Sequence, residues 1–354
     1  MEELKSLAEA AGYTVVGSVE QVRRPDSRYQ IGRGKAEEIA DLVSKLGAEK
    51  IIFGNELKPV QAYNLAKLSG VEVIDRFQLI LEIFAKRAST REAKLQIALA
   101  RLKYELAQAK ERVRLAKMGE QPGFLGLGKY QVDVYYEMVK RRIKSIQRKL
   151  RKIRTTRELH RRHRRSLGFP LVSLAGYTNS GKSTLFNSLT AESVPTDSSV
   201  FTTLSTTVRM SDLEGIKILV TDTVGFIDRL PITLIEAFHS TLEEMVYSDL
   251  ILLVVDVSEP IEEIQRKVEC CLETIRQIGA SGLPMVTALN KIDLVPEHEL
   301  EEKIIRLGDV TPNPVPISAL HRINLRALKL EMLRHLESLL ETLTVHPFAK
   351  KIAN

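Results

Sequence analysis

The run Gly176-Tyr-Thr-Asn-Ser-Gly181-Lys182-Ser183 directly follows the apolar stretch 170–175 and reads GxxxxGKS. Glycines at these spacings let successive backbone N–H groups turn toward a phosphate, while the next helix begins beneath it. In such a loop the lysine contacts the β- and γ-phosphates and the serine hydroxyl is a Mg²⁺ ligand. The run therefore predicts a P-loop. Its expected ligand-binding residues are Gly176, Tyr177, Thr178, Asn179, Ser180, Gly181, Lys182, Ser183 and Thr184.

A second motif, Asp222-Thr-Val-Gly225, ends the apolar run that begins at residue 218. A carboxylate at a strand end can meet the metal through water, and the Gly225 N–H is available to a γ-phosphate, as in loops that sense hydrolysis. The alternative is an ordinary turn or capping aspartate. The predicted residues of this loop are Asp222, Thr223, Val224 and Gly225.

Two later motifs predict guanine rather than adenine as the base. The run 290–293 is Asn-Lys-Ile-Asp, and Asp293 can accept two hydrogen bonds from guanine, a donor pair that adenine lacks. Ser318-Ala319, one strand and one helix later, would supply a backbone donor to the guanine oxygen. This pattern disfavours a metabolic ATPase. The expected base-binding residues are Asn290, Lys291, Ile292, Asp293, Ser318, Ala319 and Leu320.

A threonine-rich segment, 200–207, lies between the P-loop and Asp222. A switch segment needs one threonine hydroxyl for Mg²⁺ and the γ-phosphate. The spacing leaves open which threonine has this role, and a solvated strand without any such role remains an alternative. The available threonines are Thr202, Thr203, Thr206 and Thr207.

Length and composition narrow the class of protein. A chain of 354 residues with 44% hydrophobic and 27% charged residues is typical of a soluble protein with two or three domains. The two cysteines, Cys270 and Cys271, are adjacent in a helical pattern, which argues against a disulfide framework or a metal site. The N-terminus does not resemble a signal peptide, and the apolar run 250–255 is too short to span a bilayer. We expect a cytoplasmic protein without integral membrane association.

The region 168–340 alternates apolar runs with helical patterns, which predicts a doubly wound α/β sheet with ligand loops at the carboxyl ends of its strands. A tail, 341–354, follows. The predicted strands are centred on Val172, Val208, Leu219, Leu253, Val286 and Val315.

The region 1–88 predicts a smaller α/β domain with a largely parallel sheet. Its expected strands are 13–16, 50–53 and 71–75, and its expected helices are 35–46, 60–68 and 77–86.

Between these domains, 89–167 predicts an antiparallel coiled-coil hairpin, because apolar residues recur at steps of three and four on both sides of a glycine-rich loop. The expected seam of the first arm is Leu95, Leu99, Leu102, Leu106, Ala109, Val113 and Ala116, and that of the second is Val132, Tyr136, Val139, Ile143, Ile146, Leu150 and Ile153.

The second arm is strongly basic. Residues 140–165 contain fourteen Lys or Arg and one acid, Glu158, whereas the formal net charge of the whole chain is only +7. A solvated helix face is the ordinary explanation for a charge run, but like charges at i,i+4 destabilise a helix that binds nothing. We therefore predict polyanion binding with a steep salt dependence. RNA is favoured over membrane because the apolar seam is already used by the partner helix, and no DNA specificity is expected.

Taken together, these motifs resemble the HflX family of GTPases over nearly the whole chain. The hairpin loop lacks the Gly-x-Gly-Glu-Thr-Gln run of bacterial members, and only a short C-terminal region follows; both features are similar to archaeal members. The runs that carry the resemblance are Ile31-Gly-Arg-Gly34-Lys, Val73-Ile-Asp75-Arg76, 83–96, 176–187, Phe201-Thr-Thr203-Leu, 222–227 and Leu230-Pro231.

The resemblance implies a GTPase that binds the large ribosomal subunit, with the N-terminal domain and hairpin reaching ribosomal RNA and hydrolysis timing release. It implies Thr203 as the switch threonine, so that Ser183, Thr203 and Asp222 would hold Mg²⁺. Lys182, Thr203 and Gly225 would then act on the γ-phosphate. The switch residues that would contact the nucleotide are Phe201, Thr202, Thr203, Leu204 and Ser205.

Two residues bear on the rate of hydrolysis. Phe226 stands where many GTPases have a glutamine that orients the attacking water, so we expect slow hydrolysis of GTP to GDP that a partner stimulates. Asn179 resembles an asparagine that helps hold K⁺ in related GTPases, although it could equally bond only to its own loop. We expect a monomer.

Other functions remain open at this point. One alternative is a GTP-dependent factor that remodels non-ribosomal RNA. Another is a non-enzymatic scaffold with a decayed P-loop, which the intact Lys182, Ser183 and Asp222 disfavour.

Overall fold

The computed structural model of this chain describes residues 1–117, 129–166, 168–190, 207–228, 234, 242 and 244–344. The predicted switch residues 201–205, the hairpin loop 119–128 and the end of the tail, 345–354, lie outside the described residues. The chain divides into two compact units, Met1–Lys152 and Ile153–Asn354.

The first unit begins with a small parallel α/β arrangement. Strands β1 and β2 pair in parallel, from Lys50 opposite Glu72 to Phe53 opposite Asp75. Asp75 ends β2 and begins the next helix, because its side chain accepts a hydrogen bond from the Gln78 N–H at 2.9 Å. The elements are α1 (Glu2–Ala10), α2 (Arg33–Leu46), β1 (Lys50–Phe53), α3 (Pro59–Ser69), β2 (Glu72–Asp75) and α4 (Arg76–Arg87).

The strand predicted at 13–16 is wrong. The Tyr13 N–H bonds back to the Ala8 carbonyl at the end of α1, and the Tyr13 hydroxyl donates to Glu82 at 2.6 Å. Val15 and Val16 are exposed, and the segment pairs with no strand in the part of the chain that the structure describes. A β-branched run predicts a strand only when an edge is available to pair with it.

Two long helices form the predicted seam: α5 (Arg91–Lys117) and α6 (Lys129–Ser166). Tyr135 of α6 donates to Glu105 at 3.4 Å, whereas Arg142, two helical turns further along α6, shares a groove with Arg101 and Lys94, which precede Glu105 in α5. The two helices therefore run antiparallel. The buried seam residues are Leu99, Leu102, Val139, Ile143 and Ile146, with Leu95, Leu106 and Leu150 half-buried. The side chains of Val113, Ala116 and Val132 lie outside the described residues.

The second unit contains a six-stranded sheet in the order β4-β5-β3-β6-β7-β8, and all six predicted strands are present. Only β4 runs antiparallel, in its pairing with β5. The strands are β3 (Leu171–Gly176), β4 (Thr207–Leu213), β5 (Ile216–Asp222), β6 (Leu250–Asp256), β7 (Met285–Asn290) and β8 (Pro314–Pro316); the helices are α7 (Lys182–Thr190), α8 (Ile261–Gln277), α9 (Glu297–Gly308) and α10 (Leu325–Thr344).

Apolar side chains cover both faces of this sheet, because its central strands are flanked by helices on each side. One cluster gathers Phe186, Leu252 and Leu328, and the other gathers Phe226, Leu253 and Ile275. The strands β4 and β5 lie on one side of β3, and β6, β7 and β8 lie on the other. The strand order therefore reverses between β3 and β6, and folds of this kind bind ligands in the crevice at the carboxyl ends of those two strands. The predicted α/β fold class is confirmed, and none of the described helices is long and apolar enough to cross a membrane.

Candidate nucleotide-binding site

The loop after β3 passes too close to its neighbours for side chains at two positions. A Cβ on Gly176 would lie 2.3 Å from the Val254 carbonyl oxygen, and one on Gly181 would lie 2.2 Å from Asn290 Nδ2. Gly181 and Asn179 also have positive φ angles, of 92° and 63°. Only glycine fits these close contacts at positions 176 and 181, the first and last of this loop, which explains the spacing of the two glycines in the sequence.

Lys182 begins α7 directly below this loop. Its side chain is buried, and its Nζ donates to the Tyr177 carbonyl oxygen at 2.6 Å. Burial lowers the pKa of Lys182 to about 8. An anion in the loop would favour the charged ammonium and raise this pKa again.

Ser183 and Asp222 meet where α7 begins and β5 ends. The Ser183 hydroxyl donates to Asp222 Oδ2 at 3.0 Å, and Asp222 is buried. A hydroxyl beside a carboxylate is an all-oxygen donor pair of the kind that Mg²⁺ prefers. These residues therefore fit the metal that a nucleoside triphosphate brings with it.

The loop after β5 is bonded to the P-loop through its backbone. The Phe226 N–H donates to the Gly176 carbonyl at 3.0 Å, and the Phe226 carbonyl accepts from the Thr178 N–H at 2.8 Å. The Phe226 ring is buried in the core, away from solvent. A Cβ on Gly225 would lie 3.0 Å from Lys182 Nζ, so this glycine brings the backbone up to the lysine.

Thr223 and Val224, also predicted as site residues, are buried within the same loop. The Thr223 hydroxyl donates to the Leu174 carbonyl at 2.6 Å, which ties the loop to β3. Val224 is 7% exposed. Both side chains therefore shape the loop, and contact with a ligand would come from the backbone.

Asn290 joins the P-loop to the second predicted base-binding loop. Its Nδ2 donates to the Ser180 carbonyl at 2.8 Å, and its Oδ1 accepts from the Ala319 N–H at 2.9 Å. A single amide can serve both loops because it carries a donor and an acceptor. The three motifs 176–183, 290–293 and 318–320 are thus brought together around one side chain.

Asp293 lies in a 3-10 turn, Ile292–Leu294, that follows β7. Its Oδ2 is 3.6 Å from Nε2 of His321, and its side chain is 14% exposed, so the carboxylate can be reached from solvent. Lys291 has a φ of 70°, and its Nζ lies 2.5 Å from Asp256 Oδ2. Ile292 donates its N–H to the carbonyl of Ile317, the residue directly after β8, at 3.3 Å, which holds this turn beside the end of that strand.

The loop after β8 is closed by its own hydrogen bonds. Ser318 and Ile323 exchange two backbone bonds of 3.2 and 3.0 Å, and the Ser318 hydroxyl accepts from the His321 N–H at 3.2 Å. Ser318 and Ala319 are buried, whereas Leu320 is 70% exposed. Only the first two therefore lie at the inner side of the loop.

Sequence reasoning missed two residues that support these loops. Asp256, at the end of β6, pairs with Lys291, and the Ser188 hydroxyl on α7 lies 3.0 Å from the Ala319 carbonyl. A carboxylate at the end of the apolar run 250–255 was a signal for the first. No signal in the sequence identified Ser188, since its contact joins residues 131 positions apart.

Three family models match successive parts of the chain. They are described as "GTP-binding GTPase N-terminal" (residues 1–85), "GTP-binding GTPase Middle Region" (87–164) and "50S ribosome-binding GTPase" (171–291). The GTPase HflX of Methanocaldococcus jannaschii is 49% identical over 338 residues, which cover 95% of this chain and 83% of that protein. The chain belongs to the HflX family of GTPases.

Other HflX relatives agree. The GTPase HflX of Thermofilum pendens is 50% identical over 329 residues, covering 93% of this chain and 78% of that protein. Among solved structures, a GTP-binding protein of Sulfolobus solfataricus in complex with GDP is 31% identical, with a TM-score of 0.51 and 96% of each chain covered. The predictions of a GTP-binding P-loop GTPase and of its family are confirmed. A member of this family binds GTP and GDP, typically with Mg²⁺.

Proposed function

We propose that this GTPase binds the large ribosomal subunit through its N-terminal domain and basic hairpin, and that hydrolysis times its release. The observation that carries the proposal is the concentration of exposed cations on α6. Five of them lie within nine residues: Arg141, Arg142, Lys144, Arg148 and Lys149.

These cations are available to a polyanion. Neither Arg148 nor Lys149 forms an ion pair with any residue in the described part of the chain. Several unneutralised cations on one helix favour a ligand that carries regularly spaced phosphates, because counterion release then drives binding. The match of residues 171–291 to a family described as ribosome-binding supports ribosomal RNA as that ligand.

In the nucleotide site, we assign phosphate binding to the P-loop backbone and Lys182, and recognition of guanine to Asp293 and the Ala319 N–H. Ser183, Asp222 and Thr203, the last outside the described residues, would hold Mg²⁺, which neutralises charge on the phosphates when bound. The backbone of Gly225 lies close to Lys182 Nζ, and this close approach supports a loop that responds to the γ-phosphate.

Slow hydrolysis by the isolated protein follows from Phe226. Its backbone is bonded to the P-loop on both sides and its ring is buried, so it offers no polar group to orient a water molecule. A partner must then supply or position such a group. Single-turnover rates that are equal with and without large subunits would refute partner stimulation.

Asn179 is the residue we propose as a K⁺ ligand. It lies at the exposed crest of the P-loop with a left-handed backbone. Turnover should be faster in potassium than in sodium, and Asn179→Ala should remove the difference. Equal rates of the unaltered protein in the two salts would count against cation coordination.

Co-sedimentation tests the proposal as a whole. The protein should pellet with purified large subunits in a non-hydrolysable GTP analogue, less with GDP, and progressively less as salt is raised. Lys182→Met provides the control for nucleotide dependence, because it keeps the shape of the side chain and removes its charge. If the protein binds RNA but never pellets with the subunit, a factor acting on non-ribosomal RNA becomes the better explanation.

A further inference from the structure

An open groove of about 550 Å³ lies within the first unit, between the end of α4 and the helices α5 and α6. Its volume lies in the range of ordinary ligand-binding clefts. The floor is apolar and consists of Ala88, Ile97, Ala98 and Leu102. None of these residues belongs to the nucleotide site.

The rim of the groove is basic. Lys94 and Arg101 come from α5 and Arg142 comes from α6. Arg101 pairs with Glu105 at 3.0 Å, whereas neither Lys94 nor Arg142 forms an ion pair with any residue that the structure describes. Two of the three cations at the rim therefore form no ion pair with the part of the chain that the structure describes.

The spacing of these charges limits what can bind. Lys94 and Arg101 are two helical turns apart, about 10 Å along α5. Two phosphates of an extended strand match this separation without either side chain having to bend toward the other. Arg142 also belongs to the exposed basic run of α6, so the groove continues into that surface.

We propose that this groove holds two nucleotides of an unpaired stretch of RNA, with the three phosphates that flank them on Lys94, Arg101 and Arg142. The bases would lie over the apolar floor, where the Arg101 guanidinium offers a plane for stacking. Glu105 would accept a hydrogen bond from a base amine, as carboxylates do in nucleic-acid recognition. The inference rests on the proposed function, because it requires RNA as the ligand, and it adds a site that reads single strands.

The test measures binding of a short, unstructured, fluorescently labelled RNA to the full chain by anisotropy across a salt series. Each phosphate contact on a single strand contributes about 0.7 to the slope of log affinity against log salt. The double variant Lys94→Ala/Arg142→Ala should therefore lower the slope by about 1.4, which is roughly 25-fold weaker binding near 0.1 M salt. The double variant Lys45→Ala/Lys67→Ala removes the same charge from exposed positions outside the groove and should leave the slope unchanged.

A second variant tests whether weaker RNA binding could result from unfolding. Ala85 is exposed on the wall of the groove, so Ala85→Glu adds a negative charge there without altering the core. It should also weaken RNA binding, with an unchanged thermal melt and unchanged GDP affinity.

The outcomes separate the groove from the proposed function. If the groove variants bind RNA as the unaltered protein does, and still pellet with large subunits, the groove inference is wrong and the proposed function stands. If AMP displaces the RNA fully at equal phosphate concentration, the groove is a mononucleotide site and the inference is also wrong. If the unaltered protein does not bind the short RNA but pellets with large subunits, the groove inference is wrong and the proposed function stands; if it does neither, both proposals fail.

Discussion

Lys182 and the cations of α6 carry the same kind of charge in opposite surroundings. Lys182 is buried, bonded to the Tyr177 carbonyl and held at a fixed point below the P-loop. Arg148 and Lys149 are exposed on a helix of 38 residues. A buried cation binds one ligand in one geometry, whereas exposed cations bind any suitably spaced polyanion. Nucleotide affinity should therefore depend on geometry and pH, and RNA affinity on salt.

The largest effect should come from removing the buried cation. Lys182→Met leaves bound phosphates without their ammonium, a loss of about 4 kcal/mol or roughly 1,000-fold in affinity. Calorimetric titration with GDP measures it. Lys217→Ala removes an exposed lysine at the opposite end of β5 and should leave the affinity as it was. Equal losses in the two variants would mean that charge alone, and not position, decides nucleotide binding.

The base-reading carboxylate should have the next largest effect. Asp293→Asn replaces two acceptor oxygens with one acceptor and one donor, so guanine should bind at least about 100-fold more weakly. Xanthine, which has a carbonyl where guanine has its amine, should gain affinity. Competition between GTP and xanthosine triphosphate measures the change, with Asp309→Asn as an exposed control. Unaltered preference for GTP would show that another group recognises the base.

The pKa of Lys182 predicts how nucleotide binding responds to pH. In the ligand-free protein the lysine is charged below pH 8 and becomes neutral above it, because burial lowers its pKa to about 8. Bound phosphates favour the charged form, so binding above pH 8 takes up a proton, and affinity should fall about tenfold per pH unit there. Titrations in two buffers with different ionisation heats measure the uptake. A Lys182→Met protein with the same pH dependence would assign it to a different group.

The smallest effect should come from Ser188. Its hydroxyl donates to the Thr184 carbonyl, four residues back, at 2.6 Å and lies 3.0 Å from the Ala319 carbonyl. Ser188→Ala should therefore weaken guanine nucleotides by up to about fivefold, the cost of one ordinary hydrogen bond. Ser44 makes a similar bond to a carbonyl four residues back but touches no ligand loop, so Ser44→Ala is the matched control. If both serines give the same small change, the contact with Ala319 has no role in binding.

Much of this fold could be predicted because the deciding signals are local. The central strands β3, β6 and β7 are short, largely apolar runs, and the motifs follow strands whose carboxyl ends meet at one edge of the sheet. Gly176 and Gly181 could be predicted from their spacing in the P-loop motif, which is a local signal, although the atoms that exclude a side chain there belong to Val254 and Asn290.

The features that were missed depend on neighbours in space. The contacts of Asp256 with Lys291 and of Ser188 with Ala319 exist only after the strands and helices have assembled. The run at 13–16 has the composition of a strand, but it pairs with no strand among the residues that the structure describes. The groove on α5 and α6 arises from the angle at which helices pack, which periodicity alone does not determine.

The most direct test of the difference between buried and exposed cations uses the double variant Arg148→Ala/Lys149→Ala. Its affinities for GDP and for single-stranded RNA are measured over the same salt series. We predict an unchanged affinity for GDP and an RNA salt slope lowered by about 1.4, for two lost phosphate contacts. A loss of GDP affinity that equals the loss of RNA affinity, or an RNA slope that does not change, would contradict the account.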